Sequence, residues 1–146
     1  MKVSVIVPNY NHANFLNRRL DSILSQTFID FELIFLDDAS ADNSRDIIET
    51  YNLNEKVTGI YYIEQNSGFS FKQWEKGIGL AKGEWIWLAE SDDWCENTLL
   101  EVLVAGLNNN KNCVFAFCQS YYIFFQPVVI HHNKEGIQSW LCIFAG

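Results

Sequence analysis

Apolar positions along this chain come in short blocks of strand length that alternate with stretches of helical spacing. The run from Val3 to Val7, closed by Pro8, predicts a strand buried on both faces. Leu16, Leu20, Ile23 and Leu24 then recur at helical spacing, with Asn14 the expected N-cap. Phe31 to Leu36 predicts a second buried strand ending in Asp37-Asp38. A turn from Ala39 to Asn43 leads to a polar helix that starts near Ser44 and carries Ile47, Ile48 and Tyr51. Ile60 to Ile63 predicts a third strand. After Asn66-Ser67-Gly68, residues Phe69 to Lys82 read as a helix, weakened by Gly77 and Gly79 and closed by Gly83. Trp85 to Ala89 predicts a fourth strand, with both tryptophans on one core-facing side. Thr98 and Glu101 suggest a capping box for a helix bearing Leu99, Leu100, Leu103 and Leu107. Cys113 to Phe125 promises one or two more strands, whereas 126–146 carries no clear pattern and looks interrupted at Gly146. Strands alternating with helices imply parallel pairing and right-handed crossovers, hence a three-layer α/β/α fold on a mostly parallel twisted sheet.

Composition narrows the function classes. The 146 residues are 49% hydrophobic, which fits one globular domain with a real core. A formal net charge of -8 argues against nucleic acid, whose backbone is held by clustered Lys and Arg. A nucleotide ligand stays compatible with that charge if a metal intervenes. Met1-Lys2 runs into a strand without a signal peptide, and the apolar stretch from Val114 to Ile130 is too interrupted to span a membrane. The expected location is cytoplasmic, with contact at the inner face of the membrane and a homodimer left open. Cys95, Cys113, Cys118 and Cys142 form no C-x-x-C pair and read as buried free thiols, the partial zinc spacing of Cys113, Cys118 and His131 notwithstanding.

The chemistry gathers at three strand ends. In a parallel α/β sheet all carboxyl ends lie on one side, where ligands bind. Strand one ends in Pro8-Asn9-Tyr10-Asn11, strand two in Asp37-Asp38, and strand four in Glu90-Ser91-Asp92-Asp93. Acids also follow strands as caps and turn formers, which accounts for Asp42 and Asn43 and in part for Asp37. It accounts poorly for the acid cluster, because neighbouring carboxylates repel without a counter-charge. Glu90 and Asp92 share one face if the strand continues, and Asp93 enters the turn. Such hard oxygen donors suit Mg²⁺ or Mn²⁺, with water and phosphate oxygens completing the shell. Asp38 is placed to accept from a base N–H, and Tyr10 to stack on that base. Trp94, just after the acids, is the aromatic best placed to meet a ligand.

These segments, in this order and spacing, resemble the family 2 glycosyltransferases of GT-A fold. The similarity runs from about Lys2 to Leu107. It implies transfer of a sugar from a nucleotide-diphosphate donor, most naturally a UDP-sugar, to a polysaccharide, lipid-linked or similar acceptor, with metal dependence and inversion. By that resemblance Pro8, Asn9, Tyr10, Asn11, Asp38, Gly68, Lys72, Ser91 and Asp92 would bind the nucleotide, and Glu90, Asp92 and Asp93 the Mn²⁺ or Mg²⁺. Residues 1–125 would form the nucleotide-sugar-binding domain and 126–146 a tail beginning an incomplete acceptor-binding part. Two departures stand out. Glu90 occupies a position where Asp is commoner, and Phe71-Lys72-Gln73-Trp74 replaces a frequent Arg-Asn pair, with Lys72 a candidate substitute cation.

An inverting transfer also needs a carboxylate base for the acceptor hydroxyl. After Asp93 only Glu96, Glu101 and Glu135 remain, and none is well placed, so the base is expected downstream of this chain. The competing readings are a non-catalytic nucleotide-binding fragment and a nucleotidyltransferase. The latter would want a Gly-rich basic loop after strand one. A signalling receiver domain fits less well, because its acid pair follows the first strand.

Overall fold

A computed structural model describes residues 1–110, 112–119 and 140–145, with only the backbone considered at 119 and 140–145. Six strands form one sheet: β1 (Val3–Asn9), β2 (Phe31–Asp37), β3 (Val57–Tyr62), β4 (Trp85–Leu88), β5 (Phe115–Gln119) and β6 (Trp140–Ala145). Their order is β3-β2-β1-β4-β6-β5. The first four are mutually parallel, and β6 runs antiparallel to both β4 and β5. Four helices connect or flank them: α1 (Ala13–Leu24), α2 (Ser44–Thr50), α3 (Ser70–Leu80) and α4 (Leu99–Asn109).

Strand alternation sorts the core into two layers. Val3, Val5, Val7, Leu33, Phe35, Trp85 and Trp87 pack with Leu16, Leu20 and Ile23 of α1, Ile48 of α2, and Leu100, Leu103, Val104 and Leu107 of α4. Ile6, Ile34, Leu36 and Ile86 face the opposite way, towards Leu80 at the end of α3. The α/β/α layering and the core placement of both tryptophans therefore hold. Gly77 lets α3 lie close on this second face. A Cβ there would meet Leu36 Cδ1 at 2.9 Å and collide with Ile6.

Two expected caps are replaced by contacts from other elements. Asn14 lies inside the first turn of α1, His12 is the N-cap residue, and the Ala13 N–H donates to Asp42 Oδ2 at 2.9 Å. Thr98 precedes α4 without a side-chain cap. Glu101 instead accepts from the Thr27 hydroxyl at 2.7 Å, and Gln26 Oε1 takes the Leu100 N–H at 2.9 Å. In both places a partner distant in sequence satisfies the helix end that local chemistry would otherwise cap. β3 begins three residues earlier than its apolar run suggests, because its pairing with β2 extends back to Val57. Cys95 and Cys118 are half-buried and in no disulfide among the described residues, but Cys113 is exposed, contrary to expectation. The Cys142 side chain, His131 and the boundary at 125/126 lie outside the described residues.

Candidate functional site

The sheet splits where β1 turns from β2 to β4. Pairing of β1 with β2 continues to Asn9↔Asp37, whereas pairing with β4 stops at Ile6↔Leu88. Ile6 O accepts the Ala89 N–H and Asn9 O the Asp38 N–H, so even positions of β1 address β4 and odd ones address β2. The missing N–H of Pro8 therefore faces the gap past the end of β4, where no ladder bond is forgone. A cavity of about 270 Å³ opens at this carboxyl edge.

The site residues from three strand ends do converge there. Pro8, Asn9, Tyr10, Asp38, Gly68, Glu90 and Ser91 line the cavity, together with His12, Asn66, Phe69, Ser70 and Gln73. Asn11, Lys72, Asp92 and Asp93 do not belong to that wall. Asn11 adopts a left-handed φ of 56° and bridges to the β2–α2 turn, donating its N–H to Ser40 Oγ and accepting from the Ala41 N–H. Lys72 is turned back on its own helix entry, with Nζ 3.2 Å from Ser67 O. Trp94 also misses the wall. Its ring is covered by the Arg18 guanidinium at 4.1 Å.

The paired acids after β2 have opposite fates. Asp37 is fully buried and structural, accepting from Asn9 Nδ2 (3.0 Å), the Ser40 N–H (3.1 Å) and Arg45 Nε (3.2 Å). Asp38 belongs to the cavity wall, but its carboxylate is already engaged. It accepts from the Ser67 N–H, from the Ser67 hydroxyl at 2.8 Å and from Gln73 Nε2 at 2.8 Å. Three donors leave the carboxylate about one acceptor site for a further N–H. The Asn66-Ser67-Gly68 turn that reaches over Asp38 depends on Gly68, whose φ of 75° suits glycine. Its N–H is held by Asn66 Oδ1 at 2.8 Å.

At the other end, β4 stops at Leu88, so Glu90 and Asp92 do not share a strand face. Glu90 to Asp93 instead closes as a turn, with the Asp93 N–H 3.3 Å from Glu90 O. Glu90 accepts from Trp74 Nε1 at 2.9 Å, and Ser91, buried within the turn, lies 2.7 Å from His12 Nδ1. Burial pushes the Glu90 carboxyl up, the Trp74 indole N–H opposes this, and Asp92 and Asp93 add to the rise. Asp93 is also raised by burial, against the pull of Arg19. The turn therefore holds charge at a cost that a cation would relieve. Among the described residues no three His, Cys, Asp or Glu side chains close around one point. The turn is an open, partial set of hard oxygen donors, which fits a Mg²⁺ or Mn²⁺ ion that takes the rest of its shell from a ligand and water. Asn66, Phe69 and Ser70 of the wall were not expected from the sequence, nor were His12, Gln73 and Trp74, which hold the acidic groups in place. The Phe71–Trp74 departure marked the place of Gln73 and Trp74.

A sheet whose first four strands are parallel, with a cavity at their carboxyl edge and an acidic turn beside it, is an α/β architecture of the GT-A kind. The family described as Glycosyl transferase family 2 matches residues 4–142, and the chain belongs to it. A glycosyltransferase from Nostoc sp., alr2836, otherwise uncharacterized, is 37% identical over 106 residues, covering 70% of this chain and 32% of that protein. Poly(ribitol-phosphate) beta-N-acetylglucosaminyltransferase TarP from Staphylococcus aureus is 36% identical over 119 residues, covering 77% of this chain and 35% of its own length. The crystal structure of S. aureus TarS 1-349 in complex with UDP superposes with a TM-score of 0.78 at 28% identity, over 92% of this chain and 40% of that one. This chain spans about a third of the length of these curated relatives.

Proposed function

We propose that this chain is the donor-nucleotide portion of a metal-dependent, inverting glycosyltransferase that takes a UDP-sugar and serves a cell-envelope polysaccharide or similar acceptor. The observation that carries the reading is the meeting of Asp38, Tyr10 and the first half of the acidic turn, Glu90 and Ser91, at one cavity, at the point where β1 changes partners. That is where open α/β sheets bind nucleotides. The UDP complex of TarS and the polymer acceptor named for TarP support the choice of donor and acceptor class.

In this reading the base lies between Tyr10 and the Asp38–Gln73–Ser67 group, and the diphosphate extends towards the acidic turn. Asp92 and Asp93, with Glu90 alongside, would hold the cation. When bound, that cation neutralises charge developing on the leaving diphosphate. Glu90, tied to Trp74, orients the turn from the α3 side, and His12 orients it from the α1 side. Glu96 and Glu101, the described glutamates after Asp93, lie off the cavity wall, and neither is proposed as the base that deprotonates the acceptor. Among the described residues no helix is long and apolar enough to cross a membrane. Peripheral contact with the inner membrane face and a homodimer remain parts of the proposal.

Calorimetric titration with UDP, GDP and CMP, each with and without Mn²⁺, tests it. UDP binding that requires Mn²⁺ and is lost in Asp92→Asn is the expected result. Equal indifference to all three nucleotides would overturn it.

A further inference from the structure

Among the described residues the cavity wall contains no Lys or Arg. Lys72 is bonded to Ser67 O, the Arg18 guanidinium lies over the Trp94 ring, and Arg19 is fully buried against the Trp87 ring. Among the described residues that line the site, His12 is the one basic side chain. It is also firmly placed. Its backbone carbonyl accepts the Phe15 and Leu16 N–H groups at 2.9 and 3.2 Å, which fixes it at the start of α1. Its ring meets the Phe15 ring edge-on, with centroids 5.9 Å apart and planes at 85°. Nδ1 lies 2.7 Å from the Ser91 hydroxyl, inside the acidic turn.

Two constraints therefore hold the imidazole, and one ring nitrogen is left over. A serine hydroxyl donates as readily as it accepts, and Ser91 has no other side-chain bond among the described residues. With the Ser91 O–H donating to Nδ1, the tautomer is set and Nε2 carries the proton. His12, which lines the cavity beside Ser91 and Glu90, then carries an N–H donor that no other contact among the described residues uses. A diphosphate brought up to three carboxylates needs donors as well as a cation, and the described wall offers no other basic group.

We propose that His12 is a binding residue for the phosphate portion of the donor, donating from Nε2 to a phosphate oxygen while Nδ1 accepts from Ser91. The proposal rests on the nucleotide-donor reading above and deepens it.

The test compares uridine, UMP and UDP at saturating Mn²⁺, by calorimetry, on the wild-type chain and on His12→Asn and His12→Gln. Asn keeps a polar group near Ser91 but cannot reach as Nε2 does, and Gln extends to the Nε2 position. The expected result is an Asn variant within about twofold of wild type for uridine but weakened about tenfold or more for UDP, with partial recovery in Gln. In ¹⁵N-histidine-labelled protein, the His12 Nε2 resonance should move on adding UDP and stay in place on adding uridine. Equal loss on uridine and UDP would mark His12 as merely structural and overturn the proposal, as would unchanged UDP affinity in both variants. Wild type that binds uridine and UDP equally sinks this inference alone, whereas wild type that binds neither sinks the nucleotide reading itself.

Discussion

Two glycines in α3 offer a controlled test of how the fold positions the site. Gly77 and Gly79 sit two residues apart in the same helix, so replacing either by alanine brings the same gain in helix propensity, about 1 kcal/mol. Their surroundings differ completely. A Cβ at Gly79 meets nothing within 4 Å, while one at Gly77 is driven into Ile6 and comes within 2.9 Å of Leu36 Cδ1. Ile6 and Leu36 are fully buried in the adjacent strands β1 and β2. Overpacking of that kind costs about 1–3 kcal/mol, and here the upper end applies because the side chains met, Ile6 and Leu36, are both fully buried. Gly77→Ala should therefore destabilise by about 2 kcal/mol net and Gly79→Ala should stabilise by about 1 kcal/mol. The gap of about 3 kcal/mol corresponds to roughly 6–12 °C between their melting temperatures. Urea unfolding followed by tryptophan fluorescence measures it directly. Gly77 also lies one helical turn beyond Gln73, on the same buried face. Lifting α3 should draw Gln73 from Asp38 and Trp74 from Glu90, so Gly77→Ala should weaken UDP binding while Gly79→Ala leaves it intact. A Gly77→Ala protein as stable as Gly79→Ala would refute the close-packing argument and the link from helix to site.

Other expectations follow from single contacts. Trp74→Phe keeps the ring but removes the N–H held by Glu90, and should weaken Mn²⁺-dependent UDP binding by about tenfold, read by calorimetry. Glu32 is buried opposite the site and accepts from Ser4 Oγ, Thr58 Oγ1 and the Lys82 N–H. Burial opposes its charge, but these bonds prevail and hold the carboxyl below its usual value. Its stabilisation is therefore fully present above the unfolded carboxylate value and is lost as pH falls through the lower folded one. Glu32→Ala should cost about 2–4 kcal/mol at pH 7 by stranding those donors, with the difference from wild type shrinking in acid, as urea unfolding at several pH values would show. Glu90→Gln keeps an acceptor for Trp74 and removes a carboxylate whose pKa is raised. Thermal melts should show it more stable than wild type at neutral pH, with the advantage gone once Glu90 is protonated, and with Mn²⁺-dependent UDP binding reduced.

Legibility from sequence followed the range of the forces involved. The strands β1, β2 and β4 announce themselves because both faces are buried, so each is a nearly unbroken apolar run. Parallel order then places Pro8, Asp38 and Glu90 on one edge with no further information. What could not be read was set by contacts between distant segments. The helix caps at Asn14 and Thr98 looked adequate locally, yet Asp42 and Gln26 took the N–H groups at those helix starts from other elements. Lys72 and Trp94 had the right chemistry near the site, but helix phase and the Arg18 contact turned them from the wall. Gln73 and Trp74 lay in the stretch flagged as a departure, although only coordinates show that each binds a different carboxylate of the cavity.

That last arrangement explains the electrostatics of the whole edge. Gln73 and Trp74 steady Asp38 and Glu90 through neutral donors, so they fix position without cancelling charge. The counter-charge comes from behind. Arg19 of α1 is fully buried, with its guanidinium 5.0 Å from the Trp87 ring centroid and no hydrogen bond from its nitrogens within the described residues. Burial drags its pKa down, while Cys95, Asp93, Glu90 and Asp92 pull it back up. An arginine left so poorly solvated is expensive, and its charge is retained because the acids of the turn face it across a short stretch of core. One fixed cation cannot balance three carboxylates, and burial keeps Glu90 and Asp93 above their ordinary range. The turn is thus built with a standing deficit of positive charge on its open side. A divalent ion arriving with a diphosphate would meet that deficit, and His12 adds a donor where the described wall has no other basic side chain.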